Sequence, residues 1–296
     1  MIHVVVVAYR SADHIGPCLE PLMKDPFVST VVVVDNSADA ATEAVCRRWR
    51  SDSRLEYLPG KNIGYAAACN LGAARVRGTW KFLAIINPDV TLHRPLSELA
   101  ELTTGVLGSI FSARLQQPSG SLNARPMAGP MLEILNAFVG SRVYRLPSVA
   151  RHPPSPGFVQ VPQIDGSLLL MPAREAAALD GFDERYELYY EDVDFCRRAN
   201  LRAGCHLWLE SWGTHQAGAS FSVAGEPPFI ALRVSRTRYL RKWYGRIGVL
   251  WALLVAMIEA VSRAATGQAP SRRAILHALV AQSREVVQPG RKTYLA

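Results

Sequence analysis

At 296 residues, with 49% hydrophobic and 20% charged side chains, the chain can build a large core and is excluded from the disordered class. Five cysteines (18, 46, 69, 196 and 205) without a C-x-x-C pair read as reduced packing residues and not as disulfides or zinc ligands. The formal net charge of +8 divides unevenly: residues 233 to 296 hold 12 Lys+Arg against 2 Asp+Glu, and residues 1 to 232 hold 21 against 23.

Met1 leads directly into His3-Val4-Val5-Val6-Val7-Ala8 without the stretches of a secretion signal, which predicts a product in the cytoplasm or on the inner face of the membrane. Val4–Ala8 predicts a buried strand, and Ile15, Cys18, Leu19 and Leu22 a helix. Val31–Val34 gives a second strand, and Ala41, Val45, Arg48 and Trp49 a second helix. Leu55–Leu58, an alanine-rich helix from Tyr65 to Val76, and a strand at Phe82–Ile86 follow. Continuous apolar strands alternating with helices predict an α/β fold whose parallel sheet is covered on both faces, with ligands at the carboxyl ends of the strands.

Three polar triplets fall at those ends: Tyr9-Arg10-Ser11, Asp35-Asn36-Ser37 and Asn87-Pro88-Asp89. The chain has no G-x-G-x-x-G after the first strand and no G-x-x-x-x-G-K-[ST], which argues against a Rossmann dinucleotide site and a P-loop. Asp35 has the chemistry to accept hydrogen bonds from a ribose or base, and Asp89 to hold a hard divalent cation that bridges a diphosphate. An Asx turn closing a strand is the competing role for each.

Residues 110 to 163 are rich in Pro, Gly and Ser and predict loops with a short helix near Met131–Val139. A strand over Ile164–Met171, broken by Asp165-Gly166-Ser167, precedes a helix at Ala173–Leu179. Six carboxylates then crowd between Asp183 and Cys196. The pattern turns helical at Asp192, so Glu191 and Asp192 stand where an aromatic loop (Tyr186, Tyr189, Tyr190) enters a helix. Such surroundings raise a carboxylate's pKa toward general-base work; an acidic first turn that only caps the helix is the alternative. The strand His206–Leu209 and the segment Gly213-Thr214-His215-Gln216 follow.

The tail carries Arg233, Arg236, Arg238, Arg241, Lys242 and Arg246 before the uncharged run Ile247–Ile258. Twelve residues fall short of the ~20 that span a bilayer. An interfacial helix on an anionic membrane surface, with Trp243, Tyr244 and Trp251 at the headgroups, fits this pattern and leaves nucleic acid without a role. A helix covering the core is the alternative.

In order, Val5-Val6-Val7-Ala8-Tyr9-Arg10-Ser11, Val33-Val34-Asp35-Asn36-Ser37, Asn62-Ile63-Gly64-Tyr65-Ala66-Ala67-Ala68-Cys69-Asn70, Ile86-Asn87-Pro88-Asp89, Asp165-Gly166-Ser167, Gly181-Phe182-Asp183-Glu184 through Glu191-Asp192-Val193-Asp194, and His215 give a chain that resembles the inverting family-2 glycosyltransferases of the GT-A fold. Within them it is similar to the rhamnosyltransferase-like branch, over about residues 1–220. The resemblance implies a mostly parallel nucleotide-binding sheet flanked by helices, merged with an acceptor-binding half and a C-terminal helical tail. The implied division is a nucleotide-sugar half at 1–109, an acceptor-binding and catalytic half at 110–232 and a basic tail at 233–296.

By the same resemblance Asp35 binds the nucleotide, and Tyr9, Asn62, Gly64, Asn70, Asn87 and Asp165 lie on the donor side. The last acid of the D-x-D motif, Asp89, takes Mg²⁺ or Mn²⁺ on the donor diphosphate, and His215 completes the metal shell. The first acid is replaced by Asn87, a departure usual in the rhamnosyl-like branch. Asp192 is the implied base and Glu191 its capping or orienting neighbour, while loops around 116–130 and 150–160 are candidate lids. The implied reaction moves a deoxyhexose, L-rhamnose from dTDP-rhamnose, to a cell-surface glycan or lipid-linked saccharide. A nucleotidyltransferase should show a Gly-rich basic signature after the first strand, which Tyr9-Arg10-Ser11 lacks. A catalytically silent nucleotide-binding or membrane-scaffold protein should have lost acids, whereas Asp35, Asp89, Glu191 and Asp192 are all present.

Overall fold

The computed structural model describes residues 1–75, 78–139, 157–216, 227–265 and 280–282. Strand β1 (Ile2–Ala8) is buried along its whole length because helices cover both faces. Val4 and Val6 pack with Ile15, Cys18, Leu19 and Leu22 of α1 (Ala12–Lys24). Val5 and Val7 join Ala66, Ala68 and Cys69 of α3 (Tyr65–Ala73) on the other face. This alternation is why the strand reads as an unbroken apolar run.

Around β1 the sheet extends both ways. β2 (Val28–Asp35) and β3 (Leu55–Pro59) lie on one side, with α2 (Ala40–Cys46) in the connection between them, and β4 (Phe82–Ile86) lies on the other; all four run parallel. Beyond β4 the sheet becomes mixed. β10 (Leu168–Pro172) pairs antiparallel with β4 and with β6 (Ile110–Gln116), and β6 runs parallel to β11 (Cys205–His215). β11 is flanked by β5 (Val90–Leu92) and β8 (Phe158–Val161), both antiparallel. The expected parallel sheet is therefore the first half of a nine-stranded one. A short ribbon of β7 (Ala124–Arg125) and β9 (Gln163–Ile164) lies apart from it. The remaining helices are α4 (Leu96–Leu102), α5 (Pro130–Val139), α6 (Ala173–Leu179), α7 (Glu191–Asn200) and α8 (Pro227–Ala265).

Helix α8 is a hairpin. Gly245, at φ 64° and ψ −146°, breaks the helix, and Arg236 before it pairs with Glu259 beyond it at 2.6 Å. Twenty-three residues of straight helix would hold those side chains roughly 35 Å apart, so the arms 227–244 and 246–265 must fold back on each other. The stretch Ile230–Val261 is long and apolar enough to cross a membrane by length and composition, but the reversal divides it. Several tail residues predicted at a membrane surface turn inward instead. Arg233, Arg236 and Arg238 are buried, and Trp243 and Tyr244 stack on the Arg197 guanidinium. Arg233 and Arg236 pair with Glu259 of the second arm, and Arg236 also faces Glu133; Arg238 and Trp243 reach the acidic stretch, at the Arg185 carbonyl and Asp194.

Candidate active site

Strand register assembles the site. Pairing of Leu168 with Ile86 sets Asp165-Gly166-Ser167 beside Asn87-Pro88-Asp89, and the Asn87 N–H donates to the Ser167 carbonyl at 2.9 Å. Pairing of His215 with Val90 carries the imidazole to Asp89, where Nε2 stands 3.3 Å from Oδ1. Burial alone would lower the His215 pKa, but the hydrogen bond to Asp89 and the charges of Asp89 and Asp165 leave it raised. His215 Nδ1 is buried without a hydrogen-bond partner among the described residues, an unusual state for a polar atom. One carboxylate and one imidazole suit Mg²⁺ or Mn²⁺. No group of three His, Cys, Asp or Glu among the described residues makes a full cage, and this pair by itself offers two ligands.

The catalytic candidates stand across the same edge. Asp192 Oδ2 accepts from the Gly166 N–H at 3.1 Å and Oδ1 from the Val193 N–H at 2.8 Å. Burial raises the Asp192 pKa, Arg125 pulls it back, Asp165 pushes it up, and the net value lies above that of an ordinary aspartate. Glu191 is buried, and one of its oxygens has no hydrogen-bond partner among the described residues. Its pKa is well above the usual range, from burial first and then the Asp192 charge. Arg125, whose charge reaches both Asp192 and His215, was not singled out from sequence. Its only signal there was the loop dipeptide Arg125-Pro126.

Asp35 lies at the carboxyl end of β2, two strands from β4, or roughly 10 Å across the sheet edge from the Asp89 loop. Its buried carboxylate accepts from the Ser37 N–H and hydroxyl at 2.9 and 2.6 Å, the Asp39 N–H at 3.0 Å and the Tyr57 hydroxyl at 2.6 Å. It thus closes the turn after β2, and a nucleotide contact would have to share or displace one of these donors. Tyr9, at the end of β1, is exposed, with the Arg10 guanidinium 5.6 Å from its ring centre.

The remaining donor-side residues make hydrogen bonds within the protein. Asn62 Oδ1 accepts from the Gly64 N–H at 3.1 Å, and Asn36 Nδ2 donates to the Gly64 carbonyl. Gly64 has φ 90°, and a Cβ there would lie 2.9 Å from the Glu187 carbonyl, so glycine is required twice over. The Tyr65 N–H donates to that carbonyl at 2.7 Å. Asn70 receives the Phe182 N–H on Oδ1 and donates from Nδ2 to the Phe182 carbonyl and Glu184. Asn87 Oδ1 accepts from the Tyr65 hydroxyl at 2.8 Å. These residues tie α3 to the acidic segment, because the turn before α3 and the segment before α7 meet at the same edge. Asp165 accepts from the Ser167 hydroxyl and from Gln117 Nε2.

The hairpin fixes that segment from the other side. Tyr189 and Tyr190 both have φ 65°, a left-handed conformation that starts α7 at Glu191. The Tyr190 hydroxyl donates to the buried Glu133 at 2.7 Å, and Glu133 faces Arg236 at 3.6 Å. Ser235 donates to the Leu188 carbonyl and Arg238 to that of Arg185. Lys242 and Trp243 Nε1 both reach the buried Asp194, two residues after Asp192.

Residues 3–112 match the family model described as Glycosyl transferase family 2. Over that segment the chain is similar to family-2 glycosyltransferases. It is 23% identical over 217 residues to rhamnosyltransferase WbbL of Escherichia coli (strain K12), covering 70% of this chain and 79% of that protein. It is 27% identical over 231 residues to an N-acetylglucosaminyl-diphospho-decaprenol L-rhamnosyltransferase of Mycobacterium tuberculosis (strain CDC 1551 / Oshkosh), covering 70% and 73%. S. aureus TarS matches in structure with TM-score 0.54 at 15% identity, over 81% of this chain and 39% of that one. The mannosyltransferase PcManGT from Pyrobaculum calidifontis, solved with GDP-Man and Mn²⁺, matches with TM-score 0.50 at 15% identity, over 98% and 81%. The chain thus has the GT-A fold. Its matched domain contains Asp35 and Asp89, while Asp165, Glu191, Asp192 and His215 lie beyond it.

Proposed function

We propose that this glycosyltransferase inverts the anomeric centre as it moves L-rhamnose from dTDP-rhamnose to a lipid-linked saccharide on the inner face of the cell membrane. The observation that carries the reaction type is the opposition, on one sheet edge, of a raised-pKa carboxylate at Asp192 to the Asp89–His215 pair. The names of the two rhamnosyltransferase relatives support the sugar, and that of the mycobacterial one supports the lipid-linked acceptor.

In this reading the acceptor hydroxyl oxygen attacks the anomeric carbon, its proton passes to Asp192, and the sugar–phosphate bond breaks with its electron pair leaving on the nucleoside diphosphate. Asp89 and His215 would hold Mg²⁺ or Mn²⁺, which when bound supplies charge neutralisation for that leaving group. The Gly166 N–H aims the Asp192 carboxylate, and Glu191, protonated in its buried setting, adds no second negative charge. Residues 1–109 serve the donor and 110–232 the acceptor.

A thermal-shift panel of dTDP, UDP and GDP, each with Mg²⁺, Mn²⁺ or EDTA, tests the donor assignment. The expected result is the largest shift with dTDP plus metal, lost to EDTA and lost in Asp89→Ala. Asp35→Ala is expected to weaken binding with or without metal. A panel in which dTDP is no better than UDP or GDP contradicts the donor, and wild-type binding by Asp89→Ala contradicts the metal role.

A further inference from the structure

The second arm of α8 has two unlike faces. Val249, Ala252, Val255 and Ala256 are buried, and Glu259 reaches back to Arg236. On the opposite side Ile247, Leu250, Leu254, Met257 and Val261 recur at spacings of three and four and are 66, 66, 36, 63 and 67% exposed. The neighbouring α5, linked to Arg236 through Glu133, repeats the pattern with Met131, Leu135 and Phe138 exposed. Soluble surfaces seldom leave such stripes bare, and where they do the stripe marks an interaction site.

Charge selects the occupant. Each helix carries one carboxylate over these residues, Glu259 in the second arm and Glu133 in α5, and both turn inward to Arg236. Exposed Arg246 stands just ahead of Ile247, and residues 262 to 296 add six Lys+Arg against one Glu. The outward face is thus apolar with a cationic end and no carboxylate among the described residues, which complements anionic lipid headgroups over acyl chains. A second copy docking through the same face would bring like charges together.

We infer that this outward face seats the enzyme on an anionic lipid surface, with the five apolar side chains at the headgroup boundary and Arg246 on the phosphates. The choice of lipid rests in part on the lipid-linked acceptor proposed above. The inward face of the same hairpin holds the segment leading to Asp192, so seating there brings the catalytic helix close to a membrane-borne acceptor.

The test is sedimentation of the full-length protein with vesicles of phosphatidylglycerol and phosphatidylethanolamine, and with phosphatidylcholine alone. Wild type is expected on the anionic vesicles, with retention falling as salt rises. Leu250→Glu combined with Met257→Glu is expected to lower vesicle affinity on the order of 100-fold, with unchanged melting temperature and dTDP binding. Arg246→Glu, outside any packed face, is a second variant expected to weaken anionic binding if the double variant fails to fold. Wild type left in the supernatant, or both variants sedimenting like wild type, overturns the inference. So does a wild-type dimer in light scattering that Leu250→Glu converts to monomer, since a second copy would then own the face. Vesicle binding without nucleotide binding leaves this surface standing and removes the transferase reading; nucleotide binding without vesicle binding does the reverse.

Discussion

Glu191 and Asp192 are adjacent in the chain and unequal in surroundings. Asp192 opens toward the sheet edge with two backbone N–H groups on its oxygens, whereas Glu191 turns into the protein and keeps an oxygen without a partner among the described residues. Because the folded pKa of Glu191 lies well above its ordinary 4.5, the native state holds a proton that the unfolded chain releases first. Stability must then fall as pH rises from about 4.5 toward the folded pKa. Glu191→Gln removes that slope. Its melting temperature relative to wild type is expected to be near zero difference at about pH 4 and positive at about pH 8. A difference that stays constant across this range contradicts a buried, protonated Glu191. The sequence suggested a raised carboxylate at this position; it did not say which of the two neighbours would be buried, since that depends on how α7 sits against α3.

At the scale of elements, the hairpin is both the least legible part of the fold and the part that holds the site. Arg236 is buried between Glu133 and Glu259, and removing one member of a buried charge cluster leaves the others uncompensated. Arg236→Met is expected to destabilise by about 3–5 kcal/mol, read as a lower denaturant midpoint, and to reduce turnover more than nucleotide affinity through the Tyr190 contact. An unchanged midpoint contradicts this arrangement. The first four strands were legible because helices on both faces force continuous apolar runs, as in Val4–Ala8. β6 and β8 were not, because they lie within a Pro-, Gly- and Ser-rich region that composition alone reads as loop. β11 was expected at His206–Leu209 but continues to His215, past register shifts between Trp208, Ser211 and Gly213 where Glu210 interrupts the apolar pattern. The tail's arginines read as a surface charge because no local pattern reveals partners some fifty residues away, as Arg238 has at Arg185 and Lys242 at Asp183.

At the scale of the whole molecule, the uneven charge gains a structural meaning. Part of the basic excess of residues 233–296 neutralises the acidic segment that leads into α7, through Lys242 at Asp183 and Asp194, and Arg246 at the head of the second arm is exposed beside its apolar outward face. Of the residues proposed for the donor, Asp35 and Asp89 follow parallel strands, whereas Asp165, His215 and the proposed base Asp192 come from the later, mixed half. The most direct measurement compares Asp192→Asn with wild type in two assays, rhamnosyl transfer from dTDP-rhamnose to a lipid-linked acceptor and titration with dTDP plus Mg²⁺. Loss of a general base lowers turnover by about 10²–10⁴, and the nucleotide affinity is expected to stay at the wild-type value. Full turnover by Asp192→Asn, or loss of nucleotide binding along with turnover, would contradict the assignment of Asp192 as the base.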